Sequence, residues 1–70
     1  MPKGRSRTHI PNRIAYWREY RGLTQQQLAD IVGVHKSTVS RWEMGFAPLR
    51  ELRPLVAKAL KRREDEIFFG

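Results

Sequence analysis

Seven positions between Leu28 and Trp42 restrict this chain more than any other feature in it. Counted from Gln25 as position one, Leu28, Ala29, Val32, Gly33, Val34, Val39 and Trp42 fall at positions 4, 5, 8, 9, 10, 15 and 18. Two short helices crossing at a steep angle make matching demands. Their joint needs a residue that tolerates positive φ, which Gly33 supplies. The first helix must be small where the second crosses it, and Ala29 stands there. The apolar positions of both helices must then converge on one core. An arbitrary pair of helices rarely meets all seven demands, so the middle of the chain reads as helix, tight turn, helix.

The flanking signals agree. Thr24 and Gln27 have the spacing of a capping box, and Leu23 and Leu28 stand at the positions of a hydrophobic staple. Leu28, Ala29, Ile31 and Val32 continue the apolar side of this second helix, and Gly33 stops it. The third helix is expected over about Lys36 to Met44, with His35 a mediocre cap and Gly45 its stop. A first helix is expected from an Asn12 cap to Arg21, stopped by Gly22, with Ile14, Trp17 and Arg18 on one face. Leu52, Leu55, Val56, Ala59 and Leu60 form the stripe of a fourth helix. Pro54 is tolerated only in a first turn, so this helix begins no earlier than about Arg50. A last turn or two, Glu64 to Phe69, carries its acids where the helix dipole favours them. With no strand pattern and no repeat, the expectation is an all-α, compact five-helix bundle with a helix-turn-helix at helices two and three. Residues 12–70 form one domain behind a flexible basic arm, residues 1–11, broken by Pro2, Gly4 and Pro11.

Charge supports a narrower set of partners. Fourteen Lys and Arg against seven Asp and Glu give a net charge of +7 among 70 residues, which suits a polyanion. Its placement is uneven. Residues 1–23 hold Lys3, Arg5, Arg7, Arg13, Arg18 and Arg21 against Glu19 alone, whereas residues 24–47 set Lys36 and Arg41 against Asp30 and Glu43. Charge therefore indicates a polyanion without choosing which. There is no cysteine, which removes disulfides, thiol catalysis and cysteine zinc sites. His9 and His35 lack carboxylates at ligand spacing, so neither a metal nor a cofactor is expected. His35, Ser37 and Asp30 resemble a catalytic triad only by composition, since nothing orients them. No run approaches the ~20 apolar residues of a membrane span or the core of a signal peptide.

The third helix says more. His35, Lys36, Ser37, Ser40, Arg41 and Met44 fall on the side away from Val39 and Trp42, and none is a carboxylate. A helix laid in the major groove needs such a surface. Lysine and arginine reach guanine O6 and N7, and serine can donate or accept. Glu43 is expected to turn toward helix one instead, and Trp17 and Trp42 to be core residues. Tyr16 and Tyr20 are expected on the surface.

Leu23 to Gly45, LTQQQLADIVGVHKSTVSRWEMG, closely resembles the phage-repressor and Cro-like (XRE) helix-turn-helix family, and the likeness extends over about Ile14 to Phe68. The resemblance implies base contacts from Lys36, Ser37 and Arg41, and backbone contacts from Thr24, Gln25 and Thr38, with Gln25 bracing the base contacts. Ser40, on the same outward side of helix three, is a further base-contacting candidate, and His35 and Arg13 are further backbone-contacting candidates. It also implies a partly buried salt bridge between Arg18 and Glu43. Some residues depart from the family pattern. Met44 stands where a polar or basic residue is common, the loop from Gly45 to Pro48 is one residue short, Pro54 has no usual counterpart, and Lys61 replaces a frequent glycine.

On this reading the chain is a sequence-specific regulator of double-stranded DNA, a repressor acting as a homodimer on a pseudo-palindromic operator in the cytoplasm of a bacterial or phage-infected cell. Ile67, Phe68 and Phe69 are the expected dimer surface, being too apolar to end a chain in water. Lys3, Arg5 and Arg7 of the arm either follow a minor groove, contact phosphates, or do neither. Two rival readings use the same fold: the antitoxin of a toxin–antitoxin pair, and a basic protein-interaction or RNA-associated module that reads no bases.

Overall fold

The computed structural model describes residues 12–46 and 48–68. It contains α1 (Ile14–Tyr20), α2 (Gln25–Val32), α3 (Lys36–Glu43), a 3-10 turn (Arg50–Leu52), α4 (Arg53–Leu60) and α5 (Glu64–Ile67). An isolated antiparallel bridge pairs Asn12 with Phe68.

Local chemistry fixes most of these boundaries. At the start of α2 the Thr24 hydroxyl accepts from the Gln27 N–H at 3.0 Å, and the Gln27 side chain accepts from the Thr24 N–H at 2.8 Å. Two otherwise unpaired donors are thereby satisfied. Gly33 closes the helix at φ 90°, and the N–H groups of Gly33 and Val34 both donate to the Ala29 carbonyl, at 2.7 and 2.9 Å.

Helix α1 is shorter at both ends than the sequence suggests. Arg13 occupies the cap position, while the Asn12 side chain reaches past it to accept from the Ile14 N–H at 3.0 Å. Asn12 also donates to the Trp42 carbonyl at 2.9 Å, tying this entry to the end of α3. At the other end Gly22 and Leu23 donate to the Glu19 and Arg18 carbonyls, the two-bond closure that a left-handed residue permits.

Pro54 falls in the first turn of α4, where its missing N–H leaves no bond unmade. One residue of the expected stripe falls outside the core. Leu55 lies about 100° round the helix from Val56, at the edge of the arc that α4 buries, and is 46% exposed, whereas Val56, Ala57, Ala59 and Leu60 are the buried residues. Ile31 is likewise exposed, because α2 buries the arc of Leu28, Ala29 and Val32 and leaves Ile31 on its shoulder. Helix α4 ends with Lys61 in the left-handed region at φ 58°.

The core lies between α2, α3 and α4. Leu28, Val39, Val56 and Leu60 fill it, Ile14 enters from α1 and Ile67 from α5, and each is essentially inaccessible. Trp42 is 3% exposed. Trp17 is only half-buried: its indole donates to the Glu66 carbonyl at 3.3 Å, and the Arg62 guanidinium lies 4.1 Å from its ring centroid. Tyr16 and Tyr20 meet it edge-on from the exposed side. Through these contacts α1 is tied to α5 and to the junction that follows α4.

Candidate nucleic-acid interface

Helix α3 presents one polar side to solvent because its other side is consumed by packing. Val39 and Trp42 are buried against the core, which turns Lys36, Ser37 and Arg41 outward, with Ser40 half-buried beside them. The helix starts cleanly despite its unusual cap. His35 is extended, at φ −78° and ψ 149°, and its ring Nδ1 accepts from the Ser37 N–H at 3.2 Å. At the far end Gly45 takes φ 109°, and the Phe46 N–H returns to the Arg41 carbonyl at 3.0 Å.

Gln25, His35, Lys36, Ser37, Ser40 and Arg41 together line a shallow open depression of about 750 Å³. It contains every residue expected to contact bases and two of those expected to contact the backbone. Thr24, Thr38 and Arg13 are not part of it. The Thr24 hydroxyl is committed to capping α2, Thr38 is half-buried, and Arg13 caps α1, its N–H bonded to the Ile67 carbonyl at 2.8 Å.

No carboxylate lines the depression, and the one bonded to its lining residue Gln25 is neutralised. Glu43 accepts from Arg18 Nε at 2.6 Å, with the two side chains 10% and 12% exposed. Its other oxygen accepts from Gln25 Nε2 at 2.9 Å. Arg18 also donates to the Leu23 carbonyl at 2.7 Å. One carboxylate therefore joins α1, α2 and α3 and withdraws its charge from the outer face. Lys36 and Arg41 form no ion pair among the described residues. An anion approaching here meets two uncompensated cations and a row of hydrogen-bonding side chains.

One contributor escaped the sequence reading. Phe46 is half-buried beneath the Arg41 guanidinium, whose carbon lies 5.0 Å from the ring centroid. Nothing in the spacing of residues 41 and 46 announces this contact, since it depends on the chain reversing at Gly45.

A helix-turn-helix family model of the phage-repressor and Cro-like (XRE) type matches residues 14–67, from the first residue of α1 to the last of α5. The chain belongs to this family. Membership identifies α2 and α3 as the helix-turn-helix of a DNA-binding domain and implies a DNA-binding regulator; the family is generally non-catalytic. Among curated proteins no significant match was found. Among the described residues, no helix is long and apolar enough to cross a membrane, and no three acidic or histidine side chains gather in a way that could hold a metal ion.

The expected dimer surface needs correction. Ile67 is wholly buried in its own core, because α5 folds back and its one large apolar residue joins the core cluster. Phe68 is half-buried against that core, with the Arg53 guanidinium 5.6 Å from its ring. Phe69 lies outside the described residues, as do Lys3, Arg5 and Arg7 of the N-terminal arm.

Proposed function

We propose that this helix-turn-helix protein is a sequence-specific transcriptional regulator, a repressor that binds as a homodimer to a pseudo-palindromic operator. The carboxylate-free depression on α3 carries the reading, since it brings Lys36, Ser37, Ser40 and Arg41 together where a major groove would lie. Lys36 and Arg41 supply donors for guanine, and the two serines contact neighbouring base edges. Gln25, held by Glu43, places its remaining amide hydrogen against a phosphate; Thr24, His35, Thr38 and Arg13 add backbone contacts. Lys3, Arg5 and Arg7 contribute affinity by following the minor groove or the phosphates.

Dimerisation follows from arithmetic. A recognition helix of eight residues reads only a few base pairs, and two of them about 34 Å apart read successive turns of one duplex face. The surface for this is Phe68 with the residues that follow it, now without Ile67.

Selection of bound duplexes from a random pool, followed by titration at moderate salt, tests the reading. A palindromic consensus bound about a thousandfold or more tighter than random duplex is the expected result. Equal affinity for consensus and random duplex would show that the protein binds DNA only as a polyanion.

A further inference from the structure

The His35–Ser37 pair carries more information than its role as a helix cap. Ser37 approaches the His35 ring twice, and both approaches are to the same nitrogen. Its backbone N–H donates to Nδ1 at 3.2 Å, and its hydroxyl oxygen lies 2.9 Å from Nδ1. A backbone N–H can only donate, so Nδ1 must present its lone pair. The neutral ring then carries its proton on Nε2. An unprotonated Nδ1 gives Ser37 Oγ nothing to accept, and two lone pairs 2.9 Å apart would repel. The hydroxyl hydrogen therefore points at Nδ1, leaving only lone pairs on the outward side of Oγ. The cap has set the polarity of a side chain that in isolation could donate or accept.

We infer that Ser37 reads DNA as a hydrogen-bond acceptor, and that its target is the exocyclic amine of a base in the major groove, adenine N6 or cytosine N4. Those amines are the only major-groove donors; guanine O6 and N7 and thymine O4 all accept. An Oγ whose hydrogen is already held by His35 pairs with the amines and meets the acceptors lone pair to lone pair. Ser37 and His35 are both exposed in the depression on α3, so the oxygen is presented where base edges would lie. His35 acts here as a positioning residue: it orients the hydroxyl and need not touch the base. This inference rests on the DNA-reading function proposed above and names the chemistry that one residue of that site selects.

The test uses the full chain and the consensus duplex from selection. Each adenine in turn is replaced by 2-aminopurine, which lacks the N6 amine, and each cytosine by 2-pyrimidinone, which lacks the N4 amine. The wild type should lose roughly 3–10-fold in affinity at one step per half-site through loss of one hydrogen bond, and Ser37→Ala should be indifferent to the same replacement. Which analogue produces the loss identifies adenine or cytosine. His35→Asn, whose side-chain oxygen can accept both Ser37 hydrogens, should keep the amine preference. His35→Ala frees the hydroxyl and should relax the preference toward bases that accept. Analogue losses of equal size in wild type and Ser37→Ala at every step would overturn the inference while leaving the regulator reading intact. Coupling of Ser37 to guanine O6 or N7, or to thymine O4, would do the same by showing that the hydroxyl donates. A selection that returns no consensus removes the regulator reading and this inference with it.

Discussion

Gln25 donates its side-chain amide to Glu43 at 2.9 Å, so the first residue of α2 is held by the same carboxylate that grips Arg18. Stability and, under the proposed function, DNA contact thereby share one group. The Arg18–Glu43 contact is about nine-tenths buried on both sides, and an ion left alone in such a place is costly. The Gln25 bond is part-buried at the edge of the depression on α3, and under the proposed function it orders an amide hydrogen for a phosphate.

Glu43→Ala should therefore do two separable things. It leaves the Arg18 guanidinium with only the exposed Glu19 carboxylate, at 3.5 Å, and the Leu23 carbonyl, and lowers unfolding free energy by up to about 3 kcal/mol, measured by urea denaturation. It also frees Gln25, lowering DNA affinity under conditions where the variant is still folded. Arg18→Met combined with Glu43→Leu separates the effects. Replacing a buried ion pair by apolar side chains of similar volume recovers most of the stability, but gives Gln25 no acceptor. The double variant should melt near the wild type and bind consensus DNA more weakly. Recovery of both properties would mean that Gln25 needs no brace.

Arg41 and Phe46 should be coupled in DNA binding. The guanidinium rests over the ring at 5.0 Å, and an exposed contact of this kind contributes about 0.5–1 kcal/mol. Arg41→Ala should change preference at one base step per half-site by about 1–3 kcal/mol. Phe46→Leu keeps an apolar side chain under the loop yet removes the ring face, so it should blur preference at that same step. A double-mutant cycle on consensus and substituted duplexes measures the coupling. Strict additivity would make Phe46 a packing residue with no part in aiming Arg41.

The parts of this fold that were legible are those set by neighbours in sequence. The Thr24–Gln27 box, the left-handed Gly33 and the buried set Leu28, Val39 and Trp42 each follow from spacing within one helix or across one short turn. Leu55 misled because it stands at the edge of the arc that α4 buries, where spacing within the helix admits either side. Ile67 misled for a different reason. An apolar pair such as Ile67 and Phe68 needs cover, but whether the cover is a partner or its own core depends on how α5 folds back after Lys61. The contacts of Phe46 with Arg41, and of Arg62 with Trp17, were invisible because each lies beyond a left-handed residue that redirects the chain. The depression itself was readable as one side of α3. The hydrogen bond from Gln25 to Glu43, which fixes its edge, was not.

Lys61 offers a stability prediction independent of DNA. It occupies the left-handed region at φ 58°, where a Cβ costs roughly 1–2 kcal/mol, and it makes the same two-bond closure that Gly22 makes after α1. Lys61→Gly should raise stability by up to about 1 kcal/mol, after allowing for the greater freedom of glycine in the unfolded chain. For a domain of this size that corresponds to a rise in Tm of about 4–8 °C per kcal/mol. Lys61→Ala keeps the Cβ and should leave Tm nearly unchanged. A gain from alanine equal to that from glycine would trace the effect to the lost charge and not to the backbone.

Gly33→Ala probes the same physics at the joint of the helix-turn-helix. A Cβ built on Gly33 meets no atom within 4 Å, yet the residue sits at φ 90°, so any cost arises from the backbone conformation and not from collision. The variant should lose about 1–2 kcal/mol in equilibrium unfolding. Because nothing is pushed aside, α2 and α3 should keep their crossing, and DNA affinity per folded molecule should stay within about twofold of wild type at temperatures well below the midpoint. If affinity fell much further in fully folded protein, Gly33 would be setting the angle at which α3 meets the groove, and relief of strain at the joint would have to be taken up by a rotation of the recognition helix.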